Sequence, residues 1–291
     1  MAEITAAKVK ELRERTGSGM MDCKKALAET NGDMEKAIDY LREKGLAKAA
    51  KKAERTASDG RVFYVLNDDA TIGAMIELNS ETDFVAKTDE FNDLGNKITA
   101  HVAGKQTFAD VAALLESVHE SGSTINELVT AIIAKLGENI VLKRFARFDA
   151  PDGKAFCYIH SNYKVGALAE LEAEDKAALK SDEFAELGHE ICMQIAAAAP
   201  AYLVPEDVPE DVIDREKAVY RQQLIDEGKP ADKVDKIIPG KLRKYFETTC
   251  LLEQEYIRDS DKKIKDVVAE VGKKLGTKIK VKRFARFGIG E

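Results

Sequence analysis

The sequence predicts an α+β protein: an N-terminal three-helix bundle, a core of two repeated α+β subdomains with small antiparallel sheets, an inserted antiparallel helical hairpin and a C-terminal module. Three observations carry this. Residues 60–103 overlay residues 153–196 without a gap at a constant offset of 93, with 15 identities in 44 positions. A second element, "KLGENIVLKRFARF" at 135–148, returns as "KLGTKIKVKRFARF" at 274–287 with 10 of 14 residues shared, now at an offset of 139. The change of offset means that the second copy carries about 46 extra residues between its helix and its closing strand.

The elements follow in chain order. Residues 1–46 read as three short helices. The first runs from about Thr5 to Arg15, "TGSG" at 16–19 breaks it, the second runs from Met20 to Glu29, and "NGD" at 31–33 ends that helix and caps the third. Val9, Leu12, Leu27, Ile38 and Leu41 supply the expected core. Residues 47–59, "AKAAKKAERTASD", read as a basic helical linker.

The first core subdomain, 60–148, and the second, 149–199, each read as two short strands around a turn. A helix then begins near Asp89 or Asp182. Leu94, Ile98 and Val102 give the first helix its apolar face, as Leu187, Ile191 and Ile195 give the second. Residues 200–259 form the insert. A helix from about Pro209 to Glu227 is broken by "GKP" at 228–230, and another returns through Leu242, Tyr245 and Phe246. Val212, Val219 and Leu224 are expected to pair with Val234, Ile238 and Leu242. Residues 260–291 are the C-terminal module with its closing strand.

Composition narrows the function classes. The 291 residues are 44% hydrophobic and 33% charged, which describes a globular, helix-rich protein rather than a disordered one. No apolar run approaches the roughly 20 residues a transmembrane helix needs. The N-terminus lacks the apolar centre of a signal peptide, so no membrane and a cytoplasmic location are expected. A formal net charge of -7 argues against binding a nucleic-acid backbone with the whole surface, and no direct nucleic-acid partner is expected. Cys23, Cys157, Cys192 and Cys250 are far apart and form no CxxC pair, which reads as buried thiols.

Catalytic signatures do not hold up. "TGSGM" lacks the Gly-Lys-Ser/Thr ending of a phosphate loop and joins two helices where such a loop would follow a strand. His101, His119, His160 and His189 are isolated from one another, so no metal site and no cofactor are expected. In "KRFARF", alternating basic and aromatic residues fit a strand, and an RNA-binding strand is conceivable. The motif lacks the glycines of an RNP sequence, and its place as closing strand of both copies favours a structural role.

"ELRERTGSGMMDCKKAL" at 11–27, "GDMEKAI" at 32–38, "TDFVAK" at 82–87 and "KLGENI" at 135–140 together resemble the bacterial elongation factor Ts family. The match is collinear along the chain. It implies that the N-terminal bundle is similar to ubiquitin-associated domains. It also implies that the protein is no enzyme but an exchange factor, whose partner is elongation factor Tu in its GDP-bound and nucleotide-free forms. By the same resemblance, Thr82, Asp83, Phe84 and Val85 are the residues that disturb the partner's magnesium site. Leu12, Met20, Met21 and His160 are secondary partner contacts. Met20 and Met21 are neighbours on one helix and cannot share a face, which leaves a core role open for one of them. The resemblance leaves the hairpin between dimerisation and partner contact, and the assembly between a homodimer and a heterotetramer with the partner.

The repeat bears on Phe84 independently. Thr82, Asp83, Phe84 and Val85 align with Asp175, Lys176, Ala177 and Ala178, so the second copy keeps the surrounding residues and lacks the aromatic ring. A ring needed by the core should leave a large apolar residue at the equivalent position. Phe84 is therefore expected to be displayed to a partner. A non-catalytic interaction scaffold is the alternative function.

Overall fold

The computed structural model describes residues 4–291, so the first three residues of the expected bundle lie outside the described residues. Thr5 and Asp33 open two of the bundle helices by accepting the backbone N–H groups of Lys8 and Lys36, which the helices themselves leave without partners. These helices are α1 (Ala6–Thr16) and α3 (Met34–Ala50), with α2 (Met20–Glu29) between them. Gly17, at φ 65°, closes α1 by donating its N–H to the Arg13 carbonyl, a conformation that costs a side-chain residue more than glycine. Val9, Leu12, Cys23, Ala26, Leu27, Ala37 and Leu41 are the buried centre, with Ile38 packed partly against it. The helical linker expected at 47–59 is helical only to Ala50. Beyond it the Asn139 side-chain amide captures the carbonyls of Ala53 and Arg55, drawing them out of any helical ladder.

Strands β1 (Asp59–Leu66) and β2 (Ile72–Ser80) follow. After them come the single turn α4 (Asp83–Ala86), then α5 (Asp89–Ala103), α6 (Val111–Glu116), α7 (Ile125–Leu136) and β3 (Ile140–Asp149). The sheet order is β1-β2-β3. The pattern then repeats. Strand β4 (Gly153–Ile159) pairs antiparallel with β5 (Val165–Ala173), Cys157 facing Leu168, and a short 3-10 turn at Lys176–Lys180 stands where α4 stood. Helix α8 (Asp182–Ala198) leads into the insert, α9 (Glu210–Asp226) and α10 (Ala231–Thr249). A two-stranded ribbon of β6 (Glu255–Tyr256) and β7 (Asp259–Lys263), then α11 (Ile264–Lys274) and β8 (Ile279–Gly288), complete the chain, and the second sheet runs β4-β5-β8.

Repeated sequence has become repeated packing. Thr88 and Ser181 cap α5 and α8 by accepting the N–H groups of Phe91 and Phe184. Phe91 meets Phe63 with ring centroids 6.0 Å apart, and Phe184 meets Phe156 at 5.7 Å. Leu94, Ile98 and Val102 are buried as expected, as are Leu187, Ile191 and Ile195.

The chain divides into two units, and neither is contiguous. One comprises the chain through Val65, Ala74–Ala146 and Phe287–Glu291; the other comprises Leu66–Gly73 and Arg147–Arg286. In the first, Ala74, Ile76 and Leu78 of β2 bury against α5 and α7, and α3 packs along α7. In the second, Ala167, Ala169 and Leu171 of β5 bury against α8 and α11.

The insert is a hairpin with its own small core. Gly228, at φ 75°, ends α9, and Leu224, Val234 and Ile238 are buried between the helices with Tyr220, Ile237 and Leu242 beside them. Val219, expected in this stripe, is exposed. Tyr220 takes the inward position instead, four residues before Leu224 and so on the same helix face.

Each closing strand carries a half-exposed base paired with a buried acid. Arg144 on β3 donates from Nε to Glu77 at 2.6 Å, and Lys143 lies 3.2 Å from its other oxygen. Arg283 on β8 donates to Glu170 at 2.5 Å. Both acids are almost fully enclosed. In the first unit the Arg144 guanidinium also lies 4.6 Å over the Phe287 ring, and in the second Arg283 lies 4.4 Å over Phe148. The basic residues of "KRFARF" are thus spent on internal partners to a large extent.

Candidate functional site

The sequence "SETDFVAKTDEF" must leave a buried strand, make one helical turn and start a long helix within a dozen residues. Thr82 makes this possible. It caps α4 through its hydroxyl, which accepts the Val85 N–H at 3.4 Å, and Thr88 then restarts the chain as α5. In one turn of helix, successive side chains point about 100° apart, so Val85 and Ala86 turn into the core while Phe84 turns out. Val85 is buried and Phe84 is 79% exposed. Asp83 lies beside it, paired with Lys87 at 2.6 Å, an acid four residues before a base.

This turn is held from below by the loop after α7. Glu138 accepts the Thr82 backbone N–H at 3.0 Å on one carboxylate oxygen and the Thr82 hydroxyl at 2.7 Å on the other. The neighbouring acid reciprocates: Glu81 accepts the Asn139 N–H at 2.7 Å and lies 3.5 Å from Arg55. Neither acid was singled out in the sequence, since Glu138 is 56 residues from Thr82 and Glu81 is 58 from Asn139.

The second copy shows what the turn looks like without its ring. Asp175 caps the 3-10 turn, Ala178 is buried where Val85 is buried, and Ala177 is exposed where Phe84 is exposed. The position faces outward in both copies, so the fold does not require a phenylalanine there. The residue matching Glu138 is Thr277, whose hydroxyl accepts the Asp175 N–H at 2.9 Å.

The bundle displays a second apolar pair. Asp22 is gripped by Lys44 at 2.8 Å and Lys48 at 3.0 Å, and these hydrogen bonds hold its carboxyl below the usual carboxylate range. They tie the first turn of α2 to α3. Met20 and Met21, the first two residues of α2, project beyond the bundle and are 58% and 75% exposed. The core role left open for one of them is therefore taken by neither. Leu12 differs from its expectation as a contact: it has no exposed surface and belongs to the bundle centre. Val85 is likewise turned inward, 8% exposed in the core beneath the turn.

His160 opens the turn between β4 and β5. It is exposed, its Nδ1 is 3.1 Å from the Tyr158 hydroxyl, and its N–H reaches the Val165 carbonyl. Tyr163, in the same turn, sits at φ 60° with its ring half exposed. The turn repeats that of the first copy, where Asn67 donates to the Ile72 carbonyl and Ala70 sits at φ 54°.

The structure therefore brings Thr82, Asp83, Phe84 and Val85 together in a single turn. Leu12, Met20 and Met21 stand in the bundle of the same unit, and His160 stands in the other unit. Among the described residues there is no group of three His, Cys, Asp or Glu side chains able to hold a metal ion. No helix among them is long and apolar enough to cross a membrane.

Comparison with known proteins gives a consistent match. A family model described as elongation factor TS matches residues 81–291. An elongation factor Ts from Clostridium botulinum strain Alaska E43 is 46% identical over 99% of this chain and 93% of its own. One from Clostridium acetobutylicum is 47% identical over the same shares, and one from Symbiobacterium thermophilum is 46% identical over all of this chain and 93% of its own.

Proposed function

The chain belongs to the elongation factor Ts family of translation elongation factors, and we propose that it acts as the guanine-nucleotide exchange factor of elongation factor Tu. In this reading it binds elongation factor Tu carrying GDP and presents the Asp83 and Phe84 turn to the nucleotide-binding domain. There it displaces magnesium and disturbs the phosphate site. GDP leaves and GTP can load. No bond is made or broken, so the protein works as a binding partner and not as a catalyst of bond chemistry.

The single observation that carries the reading is the exposure of Phe84 on a turn whose every neighbour is anchored. An aromatic ring held out at no benefit to the core is what a wedge requires. Met20 and Met21 supply adaptable apolar surface for a second contact, and His160 with its turn a third.

The energetics follow from linkage. If the factor weakens GDP binding, GDP weakens factor binding by the same factor, and the complex containing both is transient. A coupling of about 3 kcal/mol corresponds to roughly 150-fold.

The test is release of a fluorescent GDP analogue from elongation factor Tu in a stopped-flow instrument, with wild type beside Phe84→Ala. Wild type should accelerate release, and the variant should lose roughly 30-fold of that effect while remaining folded. A scaffold without exchange activity would bind and leave the release rate unaltered. Equal acceleration by both proteins would keep the exchange function and remove Phe84 from it.

A further inference from the structure

We propose that Glu138 is a positioning residue for exchange: its carboxylate holds the Thr82 end of the turn so that Phe84 is already in its inserting orientation before a partner arrives. This rests on the reading of Phe84 as the wedge. The contribution of Glu138 itself is argued from geometry and from the repeat.

Phe84 has almost no contacts of its own to orient it, being 79% exposed on a helix of four residues. Such a helix has too few internal hydrogen bonds to persist alone. Its direction is set by its anchors. At the C-terminal side the anchor is Val85 and Ala86 in the core. At the N-terminal side it is Glu138, which takes both polar hydrogens of Thr82, the N–H at 3.0 Å and the hydroxyl at 2.7 Å. Two bonds to one planar carboxylate fix orientation as well as distance, and bonds to a charged acceptor are stronger than neutral ones.

The second copy is the internal control. Its equivalent turn displays Ala177 and is held to the loop before β8 by two neutral bonds, from the Asp175 N–H to the Thr277 hydroxyl at 2.9 Å and from the Glu174 N–H to the Lys278 carbonyl at 3.0 Å. Where a ring is displayed, the anchor is a bidentate carboxylate; where none is displayed, a neutral hydroxyl and a backbone carbonyl suffice. The fold alone therefore does not demand Glu138. Glu81 completes the clamp in the opposite direction through the Asn139 N–H, so the two loops brace each other.

A wedge that is ordered in advance lowers the cost of engaging the partner, and once engaged it acts as before. Loss of Glu138 should thus raise the factor concentration needed for half-maximal exchange and spare the limiting rate. The stopped-flow assay is run over a concentration series with wild type, Glu138→Ala, Glu138→Gln, Thr277→Ala and Phe84→Ala. In parallel, the chain has no tryptophan, so Phe84→Trp supplies a single fluorescent reporter whose anisotropy is read with and without Glu138→Ala. We expect Glu138→Ala to raise the half-saturating concentration roughly tenfold with a limiting rate within about twofold of wild type, and to lower the anisotropy of the residue-84 tryptophan. Glu138→Gln has one acceptor oxygen for two donors and should shift half-saturation by about threefold. Thr277→Ala should match wild type. Wild-type half-saturation in the Ala variant, or unchanged anisotropy, overturns the proposal. Should Glu138→Ala fail to fold, unchanged half-saturation in Glu138→Gln overturns it instead. If wild type itself does not accelerate release, the exchange reading fails, and the anisotropy pair, which needs no partner, still decides whether Glu138 orders residue 84.

Discussion

Gly95 of α5 lies directly against the ring of Phe63 on β1, so closely that a β-carbon at Gly95 would come within 2.6 Å of three ring carbons, the nearest at 2.4 Å. Gly188 and Phe156 stand in the same relation in the second copy, at 2.3 Å. A helix can lie this near a sheet phenylalanine only where it has no side chain. Gly95→Ala and Gly188→Ala should each destabilise by about 1–3 kcal/mol despite the better helix propensity of alanine, because the ring is confined by Phe91 or Phe184 behind it. Urea unfolding of the two single variants checks this.

The buried acids predict an asymmetry between removing one partner and removing both. Arg144→Met leaves Glu77 enclosed with Lys143 at 3.2 Å, and should cost about 1.5–3 kcal/mol. The double variant Glu77→Met with Arg144→Met should recover part of that loss, since the buried charge that had lost one of its two partners is gone. A double-mutant cycle by thermal or urea unfolding reads the difference.

Stability should fall on mild acidification through His101. Burial holds its pKa below the ordinary histidine value, with His119 adding to the effect and Glu120 opposing it. Its Nε2 is 2.8 Å from the Ser117 hydroxyl, which itself donates to the Leu114 carbonyl, so Nε2 donates in this contact and burial is what favours the neutral ring. The unfolded chain binds the proton more readily than the folded one, so this contribution is complete above the unfolded histidine pKa of about 6.5 and is lost as pH falls from there through the folded value. Unfolding midpoints at pH 7.5 and 5.5 should differ more for wild type than for His101→Gln.

The thiols should be inert in the folded protein. Burial pushes Cys23, Cys157, Cys192 and Cys250 above the normal thiol range. A disulfide reagent at pH 8 should label them slowly in the native state and all 4 promptly in denaturant. Fast native labelling of Cys23, Cys192 or Cys250 would contradict its burial, and Cys157, which is half-buried, should be the first of the four to react.

Much of this architecture was legible because the repeat carries its own check. Asp89 and Asp182 start helices where the aligned sequences said they should, and the insert folds as the hairpin that the "GKP" break implied. What the sequence hid is direction and distance. A motif such as "TDFVAK" marks a place but not which of its side chains faces out, so it does not separate buried Val85 from exposed Phe84. The turn of α9 put Tyr220 rather than Val219 inward, a one-residue difference that periodicity does not resolve at a helix with mixed polarity. Glu138 was invisible as a partner of Thr82, yet it left a trace: the two copies diverge together at 82–85 and at 138, the positions that touch.

The interleaving of the two units bears on how the protein is made. The first unit has most of its chain once Ala146 is synthesised, yet Phe287, against which Arg144 stacks, and the Gly288 carbonyl that Arg144 reaches come at the far end. Translation at about 5–20 residues per second separates those two moments by on the order of ten seconds. For that interval the nascent protein must hold Arg144 and Glu77 without their final cover, and the first unit can be completed only after the second has been translated.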